Sequence, residues 1–533
     1  MGLFGNSIIL RYITLILQHT TITLVTILVI SFVYYYFQKR FFKINGIPHA
    51  KPSGIFGNMM QPSFGSVSFV ERLKFHYSMD NVAHYVGFYD FNNPIILLRS
   101  PEIISEVLGK YGTYLSNHYD CYESIHDVLF KNNPYLLTDQ RSLICASHFS
   151  KALKPSNMED AFFPLMLKRS KNLMEYIEKN ATNGRITMNS KDIFGRYIND
   201  VLSSCAFGID YSDSINNPND EFYKMAMDAL TFKGLKLFKF FFMRTYPSLA
   251  NYFRMNLTSD KVRWFFISIV HDIVSIRDVN PDKRRLDMIG TMMEVRLRYY
   301  KHKISPDITI ETITAQAFAF YMSAYDSTSS LLCFVTHLLS INARAQAKLY
   351  DEVRKVYEKF QDEPTYEAIN NMEYLDAVIC ETLRLYPITP YIERVCTRPI
   401  TIPPAVPGGK RFLIDKGTSV WVPTYALQND SRYYPYPKIF RPERFITTRK
   451  QISEIGAYLP FGLQDRKCMG DKFAFLVTKL CLYQLVAKYQ FNTSDRMILP
   501  LELDPWKFQM YPKGGFWIDF EERKQKNSDA NDN

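Results

Sequence analysis

Cysteine is scarce and scattered in this chain of 533 residues. Cys121, Cys145, Cys205, Cys333, Cys380, Cys396, Cys468 and Cys481 form no C-x-x-C pair and no Cys/His spacing of the zinc-binding kind. That excludes a disulfide framework and a structural zinc site, and it predicts a mainly reducing compartment. No arginine-rich run and no nucleic-acid-binding motif accompanies the net charge of +11. The thinly spread charge excludes a nucleic-acid partner and suits anionic membranes or acidic proteins. Internal repeats and low-complexity blocks are also missing. What remains is 47% hydrophobic and 22% charged, the balance of a globular chain with a well-filled core. Aromatics reach 15%, which suits a large flat cofactor or an apolar ligand as well as ordinary core packing.

Residues 20–37 carry no charge and are dominated by Ile, Leu, Val, Phe and Tyr. About 18 helical residues at ~1.5 Å each nearly cross the ~30 Å hydrocarbon layer, so a single transmembrane anchor is expected here. Tyr34, Tyr35 and Tyr36 would form an interfacial belt, and Lys39, Arg40 and Lys43 follow directly. Only Arg11 lies upstream, so the charge bias puts residues 1–19 in the lumen and the bulk of the chain in the cytosol. A cleaved signal peptide would carry its charge before the apolar run and a small-residue site after it, and this segment does neither. A buried core helix is the other reading. Residues 38–58 form a basic, proline-rich linker, with Pro48 and Pro52 stiffening an elbow between Gly46 and Gly54. A catalytic unit then spans residues 59–520, and the polar tail 521–533 is expected to be disordered.

Residues 459–470 read Leu-Pro-Phe-Gly-Leu-Gln-Asp-Arg-Lys-Cys-Met-Gly and precede a helix-like run. By itself the thiol of Cys468 could belong to an ordinary buried cysteine. Phe461, Arg466, Cys468 and Gly470 nonetheless reproduce elements of F-x-x-G-x-R-x-C-x-G, and the segment resembles the haem-binding loop of the cytochrome P450 family. Gln464 stands where that family has glycine. The resemblance implies that Cys468 is the thiolate ligand of a haem b iron, with Phe461 and Gly470 as further cofactor-binding residues of the loop.

Upstream, Glu381 and Arg384 share a helix face and can pair. An isolated Glu-x-x-Arg carries little information, but Pro442-Glu443-Arg444-Phe445 matches the family's P-E-R-F segment. The resemblance implies a structural triad of Glu381, Arg384 and Arg444 that locks the haem-binding core.

Residues 311–342 are long and apolar, yet Gln316, Ser323, Asp326, Ser327, Thr328 and His337 argue for a buried central helix rather than a membrane span. Ser323-Ala324-Tyr325-Asp326-Ser327-Thr328 resembles the family's A-G-x-[DE]-T-[ST] segment. The resemblance assigns Asp326 the acid and Ser327 the alcohol of a proton relay to iron-bound oxygen. Ala324 replaces the usual glycine. A hydroxyl bonded back to the preceding helical turn is the competing reading of Ser327.

The family's propionate contacts map to Arg466 and Arg394. Its W-x-x-x-R contact maps to Ser142 and Ala146, a departure that Arg141 or His148, otherwise ordinary surface residues, could compensate. Phe318, Tyr321, Ile388, Thr389 and Met510 fall in segments that line family substrate pockets, implying an apolar pocket. Residues 232–253 interleave Phe238, Phe240, Phe241, Phe242, Tyr246 and Phe253 with Lys233, Lys236, Lys239 and Arg244, a pattern that fits a bilayer interface or an amphipathic core helix.

The sequence thus resembles a divergent microsomal P450: a mainly α fold with a smaller β-rich lobe behind a transmembrane anchor, single-pass in the endoplasmic reticulum membrane. The implied reaction inserts one oxygen atom of O2 into an apolar small molecule (xenobiotic, steroid or lipid-like). Electrons would come from NADPH through NADPH-cytochrome P450 reductase, which Lys467 and Lys472 could help steer, with cytochrome b5 as a further donor. A haem-thiolate isomerase or dehydratase, and a haem-binding protein with impaired catalysis, are the alternatives.

Overall fold

The computed structural model describes residues 18–23, 25–26, 29–30, 32–33, 36, 40–91, 93–118, 126–131, 133, 137, 139–283, 285–302, 308–463, 467–507 and 509–524. Helix dominates. The labelled helices are α1 (Phe69–Tyr77), α2 (Asp139–Ala152), α3 (Phe163–Asn180), α4 (Ser190–Phe207), α5 (Glu221–Leu230), α6 (Gly234–Thr245), α7 (Pro247–Tyr252) and α8 (Asp260–Val279). They continue with α9 (Met288–His302), α10 (Ile310–Ile341), α11 (Ala343–Phe360), α12 (Glu373–Leu385), α13 (Thr424–Gln428) and α14 (Asp471–Lys488).

Local signals set several boundaries. Ser68 and Glu71 form a reciprocal capping box at the start of α1. Thr309 caps α10 by accepting from the Thr312 amide at 3.2 Å. α10 is 32 residues long and buried along most of its length, as its apolar composition predicts. Phe320 on α10 meets Phe473 on α14 at 5.0 Å between ring centroids, and Phe334 stacks on Tyr386 just past α12 at 4.7 Å. The central helix is thereby fixed against α14, which follows the cysteine loop, and against the end of α12.

The principal sheet runs in the order β1 (Tyr85–Asp90), β2 (Asn93–Leu98), β7 (Ser419–Val422), β4 (Ile392–Val395). Its β2–β7 contact is parallel and the others are antiparallel. β3 (Arg185–Asn189), β9 (Trp517–Glu522) and β8 (Tyr489–Asn492) make a second sheet, and β5 (Ile400–Ile402) pairs with β6 (Phe412–Ile414). A mainly helical body with a small β lobe is therefore the observed architecture.

Composition marked residues 38–58 as a linker, but from Phe41 onward they pack onto this lobe. Phe42, Ile47 and Asn58 are buried, and the Gly87 amide donates to Pro48 O at 2.8 Å. Gly87 leaves room for that ring: a Cβ there would lie 2.5 Å from Phe42, so a side chain would have to displace it. At the other end, the supposed tail begins inside β9, and Arg523 lies over the Tyr350 ring at 4.0 Å while donating to Val486 O and Tyr489 O. Strand pairing and ring packing are invisible to composition, which explains both differences. Residues 525–533 lie outside the described residues, as do residues 1–17.

The described residues of the anchor segment are helical and exposed, including Ile22, Val29, Ile30 and Phe32. Among the described residues, no helix is long and apolar enough to cross a membrane. Tyr34, Tyr35 and Lys39 lie outside the described residues.

Candidate active site

Glu381 and Arg384 sit one turn apart on α12, and their carboxylate and guanidinium pair in the two-pronged fashion, Nε to Oε2 at 2.8 Å and Nη2 to Oε1 at 2.9 Å. Arg444 adds a third arm, Nε to Glu381 Oε1 at 3.2 Å, and the Arg441 amide donates to the same oxygen at 3.0 Å. Arg384 also donates to Gln428 O at 2.9 Å, and Arg444 to Tyr436 O at 2.9 Å. All three side chains are buried, so neighbouring carbonyls help one carboxylate hold two guanidinium groups out of water. Burial lowers the pKa of Arg444 while Glu381 opposes the shift. The Arg384 guanidinium further lies over the Tyr434 ring at 5.2 Å.

Sequence patterns gave no sign of Gln428. Its buried carboxamide donates to Leu383 O and Arg384 O, at 2.9 and 3.2 Å, and accepts from the Leu459 amide at 2.8 Å. Leu459 opens the cysteine loop. From there, the Gly462 amide turns back to Leu459 O at 3.2 Å with Gly462 at φ 83°, a left-handed conformation that glycine adopts without strain. The Cys468 amide then donates to Phe461 O at 2.7 Å, so these two positions close the loop. Gly470 leads directly into α14, which puts Cys468 just ahead of a helix N-terminus, where negative charge is stabilised. A Cβ on Gly470 would lie 3.9 Å from the Cys468 sulfur, an ordinary contact, so the lack of a side chain is not compelled by this cysteine. Lys467 pairs with Asp471 at 2.6 Å. Gln464 and Arg466 lie outside the described residues.

On the central helix, Asp326 is bound from the side of α4. Lys191 Nζ meets its carboxylate at 2.8 Å, its backbone oxygen at 3.2 Å, and the hydroxyls of Ser329 and Ser330 at 2.9 and 2.7 Å. The Ser327 hydroxyl donates back to Ser323 O at 2.7 Å, which is the helix-internal bond that competes with a relay role. That bond occupies its proton but leaves oxygen lone pairs available. Asp326 and Ser327 are therefore held by different partners and do not bond to each other.

The remaining sequence-predicted positions divide clearly. Phe318 and Tyr321 are buried in an aromatic cluster, with Phe318 meeting Phe266 at 5.1 Å and Phe130 at 5.9 Å. The Tyr321 hydroxyl donates to Asn199 Oδ1 at 2.7 Å, and burial pushes its pKa up. Met510 is buried, Ile388 half-buried and Thr389 exposed. Arg394 is buried in β4, donating to Glu393 O at 2.7 Å and pairing in register with Val420. Ala146 lies on α2; the side chains of Arg141 and Ser142 lie outside the described residues. His148 needs correction: it is buried rather than on the surface, because α2 packs against α9. Its Nε2 lies 3.3 Å from the Tyr299 hydroxyl, and burial lowers its pKa, so it offers no ready cation to a carboxylate.

Midway along the largely buried α10, Met322, Ser323, Ala324, Asp326 and Ser327 are half-buried. Phe461, Cys468, Met469 and Phe475 are half-buried as well, and the Phe461 and Phe475 rings meet at 5.7 Å. A soft sulfur donor beside an aromatic, mainly apolar rim fits an iron porphyrin, for which thiolate is an established ligand. The residues present thus fit a haem.

A profile of the family described as Cytochrome P450 matches residues 48–518. Cytochrome P450 9e2 of Blattella germanica is 33% identical over 506 residues, covering 91% of this chain and 94% of the relative. The chain belongs to the cytochrome P450 family. Probable cytochrome P450 9f2 of Drosophila melanogaster is 31% identical, with 91% and 95% covered, and Cytochrome P450 3A17 of Cavia porcellus is 31% identical, with 91% and 93% covered. As a P450, the protein is a haem-thiolate monooxygenase, an oxidoreductase that uses O2.

Proposed function

We propose that this P450 oxidises an apolar small molecule at the cytosolic face of the endoplasmic reticulum membrane, with NADPH-derived electrons delivered by a flavoprotein reductase. The carrying observation is a set of links between neighbouring elements. The Cys468 loop is tied to α12 through Tyr458 and Gln428 and runs into α14, whose Phe473 packs on Phe320 of α10. Half-buried, mainly apolar residues lie both in the loop (Phe461, Cys468, Met469) and on mid-α10 (Met322, Ser323, Ala324). Haem, when bound, supplies reductive activation of O2 and transfer of one oxygen atom to the substrate, favoured by thiolate donation. Cys468 would ligate the iron, and Arg394 and Arg466 would hold the propionates through charge-assisted hydrogen bonds. Ser327 Oγ would hold a proton near the oxygen site once its helix-internal bond is exchanged. Asp326 would exchange protons with solvent on the Lys191 side, where its side chain is 38% exposed.

The membrane reading is supported by the exposed apolar residues of the N-terminal helix and by Leu235, Phe238, Leu249, Tyr252 and Phe253 on or beside α6 and α7, next to the exposed Lys233 and the half-buried Lys239. Ile388 and Thr389 suit a substrate entrance better than the fully buried Phe318 and Tyr321 do. The decisive experiment is the ferrous, carbon-monoxide-bound spectrum of the purified protein. The thiolate-shifted band should appear in the wild type and vanish in Cys468→Ala. A wild type without it would overturn the ligand assignment.

A further inference from the structure

The buried carboxamide of Gln428 joins two parts of the site that the motifs treat separately. We propose that Gln428 is a positioning residue: it ties the Cys468 loop to the Glu381–Arg384–Arg444 cluster and so holds the loop in the geometry that keeps Cys468 a thiolate ligand. The proposal rests on the haem-thiolate reading of Cys468.

Four contacts carry it. α12 ends at Leu385, and the carbonyls of a last helical turn lack partners within the helix. Gln428 Nε2 serves two of them, Leu383 O at 2.9 Å and Arg384 O at 3.2 Å. Its Oε1 accepts from the Leu459 amide at 2.8 Å, and its own backbone oxygen accepts from Arg384 Nη1 at 2.9 Å. One residue thus caps the helix that carries Glu381 and Arg384, receives the Arg384 guanidinium, and grips the first residue of the cysteine loop. The amide orientation is fixed by its surroundings. Exchanging oxygen and nitrogen would face carbonyl to carbonyl and N–H to N–H.

From Leu459 the grip passes along the loop through the Gly462–Leu459 and Cys468–Phe461 backbone bonds. Removing the carboxamide would leave a buried amide and two carbonyls without a partner, which is costly. A second tether next door, the Tyr458 hydroxyl donating to Cys380 O at 3.1 Å, keeps the base of the loop on α12 when Gln428 is replaced.

The test compares full-length wild type with Gln428→Met, which keeps volume but no polar atom, and Gln428→Glu, which keeps an oxygen for the Leu459 amide. Haem content, the ferrous carbon-monoxide spectrum and the iron midpoint potential are measured on each. Gln428→Met should lose most of the thiolate-shifted band and move the potential upward, while Gln428→Glu keeps most of the band. A Gln428→Met protein without haem, beside a Gln428→Glu protein with haem and band, supports the same role. Wild-type band and potential in Gln428→Met would overturn it, as would equal loss of the band or of haem in both variants, which would point to helix capping alone. Failure of the thiolate reading is distinguishable, because the wild type itself would then lack the band.

Discussion

Arg384 donates to both oxygens of Glu381 and to Gln428 O from a position with no exposure to water. Truncating it strands a buried carboxylate with Arg444 as its remaining cationic partner, at a cost of about 3–5 kcal/mol. Arg384→Ala is expected to purify without haem and to unfold earlier in urea; normal haem incorporation would count against the proposed locking role. His76 presents the opposite problem. It is buried on α1 against the Phe88 ring at 4.9 Å, and neither ring nitrogen has a hydrogen-bond partner among the described residues. Burial and the nearby Arg72 charge push its pKa down to about 3 from 6.5. The folded state thus holds His76 neutral while the unfolded chain protonates below about 6.5. Stability from this group is complete above that pH and falls as pH drops toward 3, by at most about 1.4 kcal/mol per unit. Urea titrations between pH 7.5 and pH 5 should show this loss, and His76→Leu should be more stable with a shallower pH slope. An unchanged slope in His76→Leu would refute the attribution.

Helices and strands differ in how much of them the sequence reveals. α10 is legible because length, apolar content and clustered polar residues together exclude both a membrane span and a surface helix. Glu381, Arg384 and Arg444 are legible because they recur at recognisable spacings. Gln428 and Lys191 carry no motif: their partners lie far away in sequence, and a lone glutamine or lysine is ordinarily a solvated side chain. The Phe42 contact was hidden for a related reason, since aromatic rings beside a basic stop look like part of a linker until β1 is folded beneath them. Phe42 fills the gap above Gly87 and meets Tyr89 at 4.7 Å. Phe42→Ala should cost about 3–5 kcal/mol by opening a cavity there. Gly87→Val should destabilise by forcing the Phe42 ring out of its seat. Thermal melts of the two variants test this, and wild-type stability in both would mean that the segment rests only loosely on the sheet.

For the molecule as a whole, the proposed topology puts the anchor's following basic cluster and the entire P450 domain in the cytosol. The domain carries glycan-acceptor sequences at Asn180-Ala181-Thr182, Asn256-Leu257-Thr258, Asn429-Asp430-Ser431 and Asn492-Thr493-Ser494. Asn180 stands exposed at the end of α3, so access does not protect it; only the absence of the luminal glycosylation machinery would. Protein made in the presence of microsomes should therefore co-sediment with them through alkaline extraction, remain open to added protease, and show no mobility shift on glycosidase treatment. A shift abolished by Asn180→Gln would place the domain in the lumen, reverse the orientation argued from Arg11, Lys39, Arg40 and Lys43, and remove the domain from any cytosolic electron donor.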